Sequence, residues 1–387
     1  MIAVYRMIGI SPVMKRLLFL LFWVSLSAGS TVLAQDTIKI GEFGSLTGGN
    51  ASFGISQNNG VQMALEEVNN SGGVLGKKIE LTLEDNQTKQ GQTTTIVKKL
   101  ISEDHVVALI GEVASSKTLE AAPIAQASKV PLIATAATNP AVTQTGDYVF
   151  RVCFTDDFQA VVIARFVLET LQKKKIAFMT DVKQDYSVGL TKIAKEYFEK
   201  NGGEIVKEQS YSSDDKDFRA QLTAIKAANP DVIIITGYYP EAALIAKQAR
   251  QFGIKAALAG GDGWDGSSLI PVGGSAVEGA YFSDHFAVSD TSPLVQSFVA
   301  AYKKKYSSAP DAFAALGYDA FKLLVDAIKR AGGTDPEKLR DAIASTKDFP
   351  GVSGKITINP ERNATKSAVI LTIKNGAFDY FKTIEPK

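Results

Sequence analysis

Cysteine is nearly missing from this sequence: Cys153 is the only one in 387 residues. No disulfide can form within the chain, so burial of apolar surface has to hold the fold together. Cys153 lies between Val152 and Phe154, surroundings that suit a buried structural thiol better than a nucleophile with a base beside it. Histidine is almost as scarce. His105 and His285 are the only two, and they have no metal-ligand spacing. No phosphate-binding P-loop and no G-x-S-x-G nucleophile elbow occurs. Charge of one sign is lacking as well: 42 Lys and Arg face 41 Asp and Glu, a net charge of +1. That balance supplies no pull toward nucleic acid or anionic membranes. No catalytic residue, cofactor or metal ligand is expected on these grounds.

Long apolar runs are confined to the N-terminus. Met14-Lys15-Arg16 is a short basic region, Leu17 to Leu26 is apolar apart from one serine, and Val32-Leu33-Ala34 places small or short residues where a signal peptidase reads. This is the layout of a cleavable secretory signal at residues 1–34, with cleavage between Ala34 and Gln35 and a possible upstream extension at 1–13. The apolar core is far short of the roughly 20 residues of a spanning helix. No cysteine follows Ala34 to take a lipid anchor, so a periplasmic protein with no membrane insertion after cleavage is expected. The remaining 353 residues carry a charge of −2. At about 150 residues per domain they suggest two domains.

The remainder alternates short β-branched runs with amphipathic stretches. Strands are expected at 37–40, 79–83, 106–110, 131–134, 148–152, 175–179, 205–208, 232–236 and 256–259. Helices are expected between them at 55–69, 93–103, 117–127, 158–172, 190–200, 218–228 and 241–251. Strands separated by single helices imply right-handed βαβ units and parallel sheets. Two such series follow one another, with a break near Arg151–Asp157. After Gly279 the pattern changes to helices at 293–306, 313–331 and 336–345, then strands at 355–358, 367–374 and 378–382. Open α/β sheets bind ligands beyond the carboxyl ends of their strands, so the chemistry should lie in the segments just after them.

Four such segments stand out. Gly111 to Thr118 ends in Ser115 and Ser116 at a helix start, where hydroxyls and free N–H groups suit a carboxylate; simple capping of the helix is the alternative. Thr135 to Pro140 offers small residues and the Thr138 hydroxyl, or merely a turn at Asn139-Pro140. The others are Gly237-Tyr238-Tyr239-Pro240-Glu241 and Gly260-Gly261-Asp262-Gly263-Trp264-Asp265. There Asp262 either accepts an ammonium group or bonds its own turn.

Taken in order and spacing, several pieces resemble the branched-chain amino-acid-binding proteins of bacterial ABC transporters. They are Ile38-Lys39-Ile40-Gly41 with Leu46-Thr47-Gly48, Val68-Asn69 leading to Gly72-Gly73, Ser115-Ser116 with Thr118, Ala137-Thr138-Asn139-Pro140, Gln184-Asp185-Tyr186, Asp217-Phe218 and Gly237 to Glu241. The resemblance implies an α/β fold of two doubly wound, Rossmann-like lobes with mainly parallel sheets joined by a three-strand hinge, the type I periplasmic binding protein. It implies lobe one at 36–153 plus 286–360, lobe two at 156–283 plus 363–387, and crossovers near 153–156, 283–286 and 359–363. Ser115 and Thr138, helped by the backbone at Ala136 and Ala137, then match the carboxylate site. Asp262 matches the ammonium partner, and Tyr186, Tyr238 and Phe53 line the side-chain pocket. The implied partners are a free amino acid and, transiently, the membrane permease subunits of an ABC importer, with the binding protein itself a monomer. Two departures stand out. Ala114 occupies the place of a cysteine that closes a disulfide in the best-known relatives, and Asp262 replaces their longer Glu.

Other readings give different expectations. Gly261-Asp262-Gly263-Trp264-Asp265-Gly266 formally satisfies the dinucleotide fingerprint, but no helical run starts within it and Trp264 would crowd a pyrophosphate. The same fold also serves as a ligand sensor, or as a binder of amides or urea-like solutes.

Overall fold

The computed structural model describes residues 37–385; the expected signal at 1–34 and its cleavage point lie outside them. The first five strands are β1 (Ile38–Gly44), β2 (Ile79–Asp85), β3 (Ala108–Ile110), β4 (Leu132–Ala134) and β5 (Val149–Arg151). Between them run α1 (Ala51–Asn70), α2 (Gln92–Ser102), α3 (Ser115–Ala127) and α4 (Ala141–Gln144). All pairings are parallel, in the order β2-β1-β3-β4-β5. The wholly buried Ala-Leu-Ile of β3 and Leu-Ile-Ala of β4 show why: strands covered on both faces are apolar throughout rather than alternating.

The chain then enters α5 (Asp156–Arg165), whose last turn widens into a π-turn at Phe166–Thr170 where an unbroken α-helix to 172 is the sequence expectation. It builds a second sheet from β6 (Lys175–Asp181), β7 (Glu204–Tyr211), β8 (Val232–Ile235), β9 (Ala257–Gly260) and β10 (Tyr281–Asp284), connected through α6 (Asp185–Lys200), α7 (Arg219–Ala228), α8 (Tyr239–Gln251) and the short α9 (Leu269–Gly273). These strands run parallel in the order β7-β6-β8-β9-β10, the same winding as the first sheet. β10 falls where the sequence suggests only a crossover; its four residues are too few to show a period.

From β10 the chain forms α10 (Pro293–Tyr306), α11 (Ala312–Ala331) and α12 (Pro336–Ala344), then an antiparallel trio β11 (Phe349–Gly351), β12 (Gly354–Ile358) and β13 (Ala364–Thr365). It returns to the second sheet as the antiparallel edge β14 (Ala368–Lys374) and β15 (Ala377–Ile384). α11 packs on α1 at very close range. A Cβ on Gly60 would stand 1.9 Å from Ala314 O, and one on Gly317 would stand 2.4 Å from Gln57 O, so only glycine permits this crossing. The chain thus connects the two sheet systems after β5, after β10 and between β13 and β14. No helix among the described residues is long and apolar enough to cross a membrane. Cys153 is fully buried, and burial pushes its thiol up to about 12.

Candidate functional site

In each sheet the strand order reverses next to the first strand, at β1/β3 and again at β6/β8, which opens a crevice at the carboxyl ends there. The segments beyond those ends meet each other. Asp185 N at the start of α6 donates to Ser116 Oγ of α3 at 2.9 Å, and Asn139 Nδ2 donates to Asp185 O at 2.8 Å. Tyr239 OH donates to Gly49 O at 2.9 Å, and Ser267 N donates to Ser52 Oγ at 3.0 Å. The two rims are closed on one another.

Ser115 is the first residue of α3 and is buried. It does not cap the helix: Ala114 holds the N-cap position with no side-chain bond, which corrects the capping alternative. Instead Ser115 Oγ accepts from Asn139 N at 3.2 Å and so ties α3 to the segment after β4. Its own proton remains available to an acceptor. Arg151, fully buried at the end of β5, donates to Ala137 O at 2.5 Å and to Asn139 O at 2.8 Å, fixing the path of Ala136, Ala137 and Thr138. Thr138 Oγ1 lies close to Asp156 without a hydrogen bond of good geometry, and both Asp156 oxygens also lack a partner. Burial, and then the charge of Asp262, hold the Asp156 carboxyl well above the usual range.

Asp262 opens a single 3-10 turn after β9, with no helix behind it. Trp264 of that turn is buried and donates from Nε1 to Ile235 O at 3.0 Å, so it is part of the core rather than of a phosphate site. The Asp262 side chain turns into the crevice instead of bonding its own loop. Gln159 Nε2 donates to its Oδ1 at 2.7 Å and His285 Nε2 lies 3.0 Å from its Oδ2. A Cβ on Gly261 would fall 2.2 Å from Tyr186 OH, so the glycine lets that ring reach the same spot.

Aromatic side chains wall the site. Tyr186 and Tyr238 stack in parallel at 5.4 Å and 5°. Phe53 from α1 meets Tyr238, Tyr239 and Phe313 edge-on, with centroids 5.3, 5.0 and 4.6 Å away. Burial, followed by nearby carboxylates, pushes the phenols of Tyr186 and Tyr238 well above their ordinary value, so both stay protonated. Tyr238 Oη, Gln159 Oε1 and His285 Nδ1 are buried without a hydrogen-bond partner. An unpaired buried polar atom costs about 1–3 kcal/mol, so a ligand that bonded these atoms would relieve that cost.

The eight residues singled out from the sequence thus lie along the seam between the two sheets. Those that sequence reasoning missed are Asp156, Gln159, Tyr239, Phe313 and His285. Gln159 sits one turn beyond Asp156 on α5, a spacing that becomes informative only once α5 is known to point at β9. His285 carries no local signal. Among the described residues, no group of three or more His, Cys, Asp or Glu side chains is arranged to hold a metal ion.

The family described as periplasmic binding protein matches over residues 37–377. The leucine-, isoleucine-, valine-, threonine- and alanine-binding protein of Pseudomonas aeruginosa is 32% identical over 320 residues, covering 82% of this chain and 85% of that protein. A leucine-binding protein from Thermotoga maritima superposes with a TM-score of 0.86 at 43% identity, covering 90% of this chain and 99% of the other. A branched-chain amino acid transporter substrate-binding protein from Streptococcus pneumoniae, solved in complex with isoleucine, gives a TM-score of 0.86 at 34% identity and covers 91% of this chain and 100% of its own. With the doubled 2-1-3-4-5 winding and the seam between the sheets, these likenesses establish that the chain belongs to the periplasmic binding protein family, among the branched-chain amino-acid-binding proteins of ABC transporters.

Proposed function

We propose that this protein binds a small free amino acid, aliphatic or branched-chain, between lobe one (36–153 plus 286–360) and lobe two (156–283 plus 363–387), and delivers it to the permease of an ABC importer. The observation that carries the reading is the pairing of opposites across the seam. A hydroxyl at the N-terminus of α3, Ser115, stands on one side, and a buried carboxylate with two donors, Asp262, stands on the other. A zwitterion has one anionic and one cationic end a short fixed distance apart. Ser115 and Thr138, with the backbone at Ala136 and Ala137, take the carboxylate; Asp262 takes the ammonium; Phe53, Tyr186 and Tyr238 enclose the side chain.

Each charge-assisted hydrogen bond is worth roughly 1.5–3 kcal/mol. Three or four of them, less the cost of immobilisation, support micromolar binding at about −8 kcal/mol. Contacts from both lobes favour the closed arrangement by a hinge-type population shift. The protein acts as a monomer in the periplasm after removal of residues 1–34. Thermal-shift screening of the purified protein against the common amino acids, amides and organic acids tests the reading. Stabilisation by one or more aliphatic amino acids is expected, and stabilisation only by ligands without an amine refutes it.

A further inference from the structure

His285 sits where the chain leaves β10, with its side chain wholly enclosed. Its Nε2 faces Asp262 Oδ2 at 3.0 Å. A carboxylate only accepts, so Nε2 carries the proton and Nδ1 is the bare nitrogen. Burial pushes the imidazole down to about 4, which leaves the ring neutral at physiological pH. The ring stacks on Phe154, centroids 3.7 Å apart and 27° from parallel. Phe154 belongs to the β5–α5 connection, and Gln159 of α5 grips the other oxygen of Asp262. Asp262 is thus held by α5 and by the segment that follows β10. Other charged or titratable groups facing this pair are Lys366 from the β13–β14 connection, Cys153 of the β5–α5 connection, Asp156 of α5, Tyr186 of α6, Tyr238 before α8, and Asp265 and Asp284 beside it.

We infer that His285 is a positioning residue that makes the site demand an amine: as a neutral donor it aims the Asp262 carboxylate without cancelling its charge. A lysine or arginine in its place would form an internal ion pair and remove the attraction for a ligand cation. A neutral N–H leaves the negative charge unmatched until an ammonium arrives. A ligand with no amine would seal an uncompensated carboxylate in the seam, which is strongly unfavourable. The inference rests on the amino-acid reading above and names its selectivity: 2-amino acids are accepted and their deaminated counterparts are refused.

Calorimetric titration with L-isoleucine and with 3-methylpentanoate, its deaminated counterpart, tests the role in the wild type, His285→Phe and His285→Gln. Wild type is expected to bind isoleucine at least about a hundredfold more tightly than 3-methylpentanoate, with an affinity profile from pH 8 to 5 that His285→Gln shares, because the imidazole stays neutral. His285→Phe keeps the stack on Phe154 and loses the N–H; isoleucine should weaken about ten- to a hundredfold while 3-methylpentanoate changes less than about threefold. His285→Gln restores a neutral donor and should return isoleucine to within about fivefold of wild type. Equal losses for both ligands in His285→Phe, failure of Gln to rescue, or a wild-type fall with a midpoint near 6.5 that His285→Gln lacks each overturn the positioning role and leave the amino-acid reading standing. A wild type that binds no amino acid overturns that reading itself, and the inference with it.

Discussion

Replacing Asp262 by Asn keeps the shape of the side chain and removes its charge, so it measures what that charge contributes. The carboxylate is almost fully buried and receives donors on both oxygens. Loss of one charge-assisted bond to an ammonium corresponds to about 1.5–3 kcal/mol, or ten- to somewhat over a hundredfold in Kd. A second carboxyl moderates this. Burial, and next the charge of Asp262, raise the Asp156 carboxyl well above the usual carboxylate range, and both of its oxygens lack a hydrogen-bond partner. Neutralising Asp262 removes that second cause, so Asp156 ionises more readily and recovers part of the attraction. Asp262→Asn alone therefore belongs at the lower end, about ten- to thirtyfold, and Asp156→Asn alone should cost less than about threefold. Together they strip a buried ammonium of its anionic partners, a loss of about 3–5 kcal/mol and at least a hundredfold. A double-mutant cycle by isothermal calorimetry with isoleucine should give a coupling above about 1 kcal/mol. An Asp262→Asn affinity within threefold of wild type refutes the assignment, and a larger effect of Asp156→Asn alone would move the ammonium to that residue.

Two further outcomes test the scaffold. Gly60→Ala places a Cβ 1.9 Å from Ala314 O and 2.9 Å from Tyr318 N, both backbone atoms that cannot rotate away. Prising α1 from α11 should cost about 1–3 kcal/mol in urea unfolding; an unchanged midpoint would contradict the close crossing. Glu112 is buried and raised by that burial to about 7, while its partner Ser45 Oγ donates to it at 2.6 Å. The folded state holds this proton where the unfolded chain has released it, so stability is lost as pH rises from about 4.5 through about 7. Glu112→Gln should then match wild type near pH 4.5 and exceed it at pH 8, by an amount of order 3 kcal/mol. A wild-type advantage at pH 8 would refute the sign.

Much of the fold is legible in the sequence because local rules write it there. The all-buried Val-Ile-Ile-Ile of β8 and the glycines or Asn-Pro that end the helices are read one residue at a time. β10 is not legible, since four residues between two loops carry no period. The π-turn at 166–170 is not either, because its sequence reads as ordinary helix. In the site, Ser115 and Asp262 stand out as polar residues following strands, whereas Gln159 and His285 do not. One looks like any surface-spaced polar residue on a helix and the other like a solitary histidine.

By itself the sequence determined the alternation of strands and helices, the reliance on burial without disulfides, and the polar and aromatic residue types at the strand ends. Those follow from propensity and composition, which act over a few neighbours. Only the tertiary structure decided which of them meet. Asp262 and His285 are 23 residues apart, and Asp262 and Gln159 are 103 apart. No local interaction carries information over such separations. The repeated winding of two sheets, closed face to face, turns the ends of β3, β4, β6, β8 and β9 and the start of α5 toward one seam. Only there does Asp262 come to lie buried between Gln159 and His285.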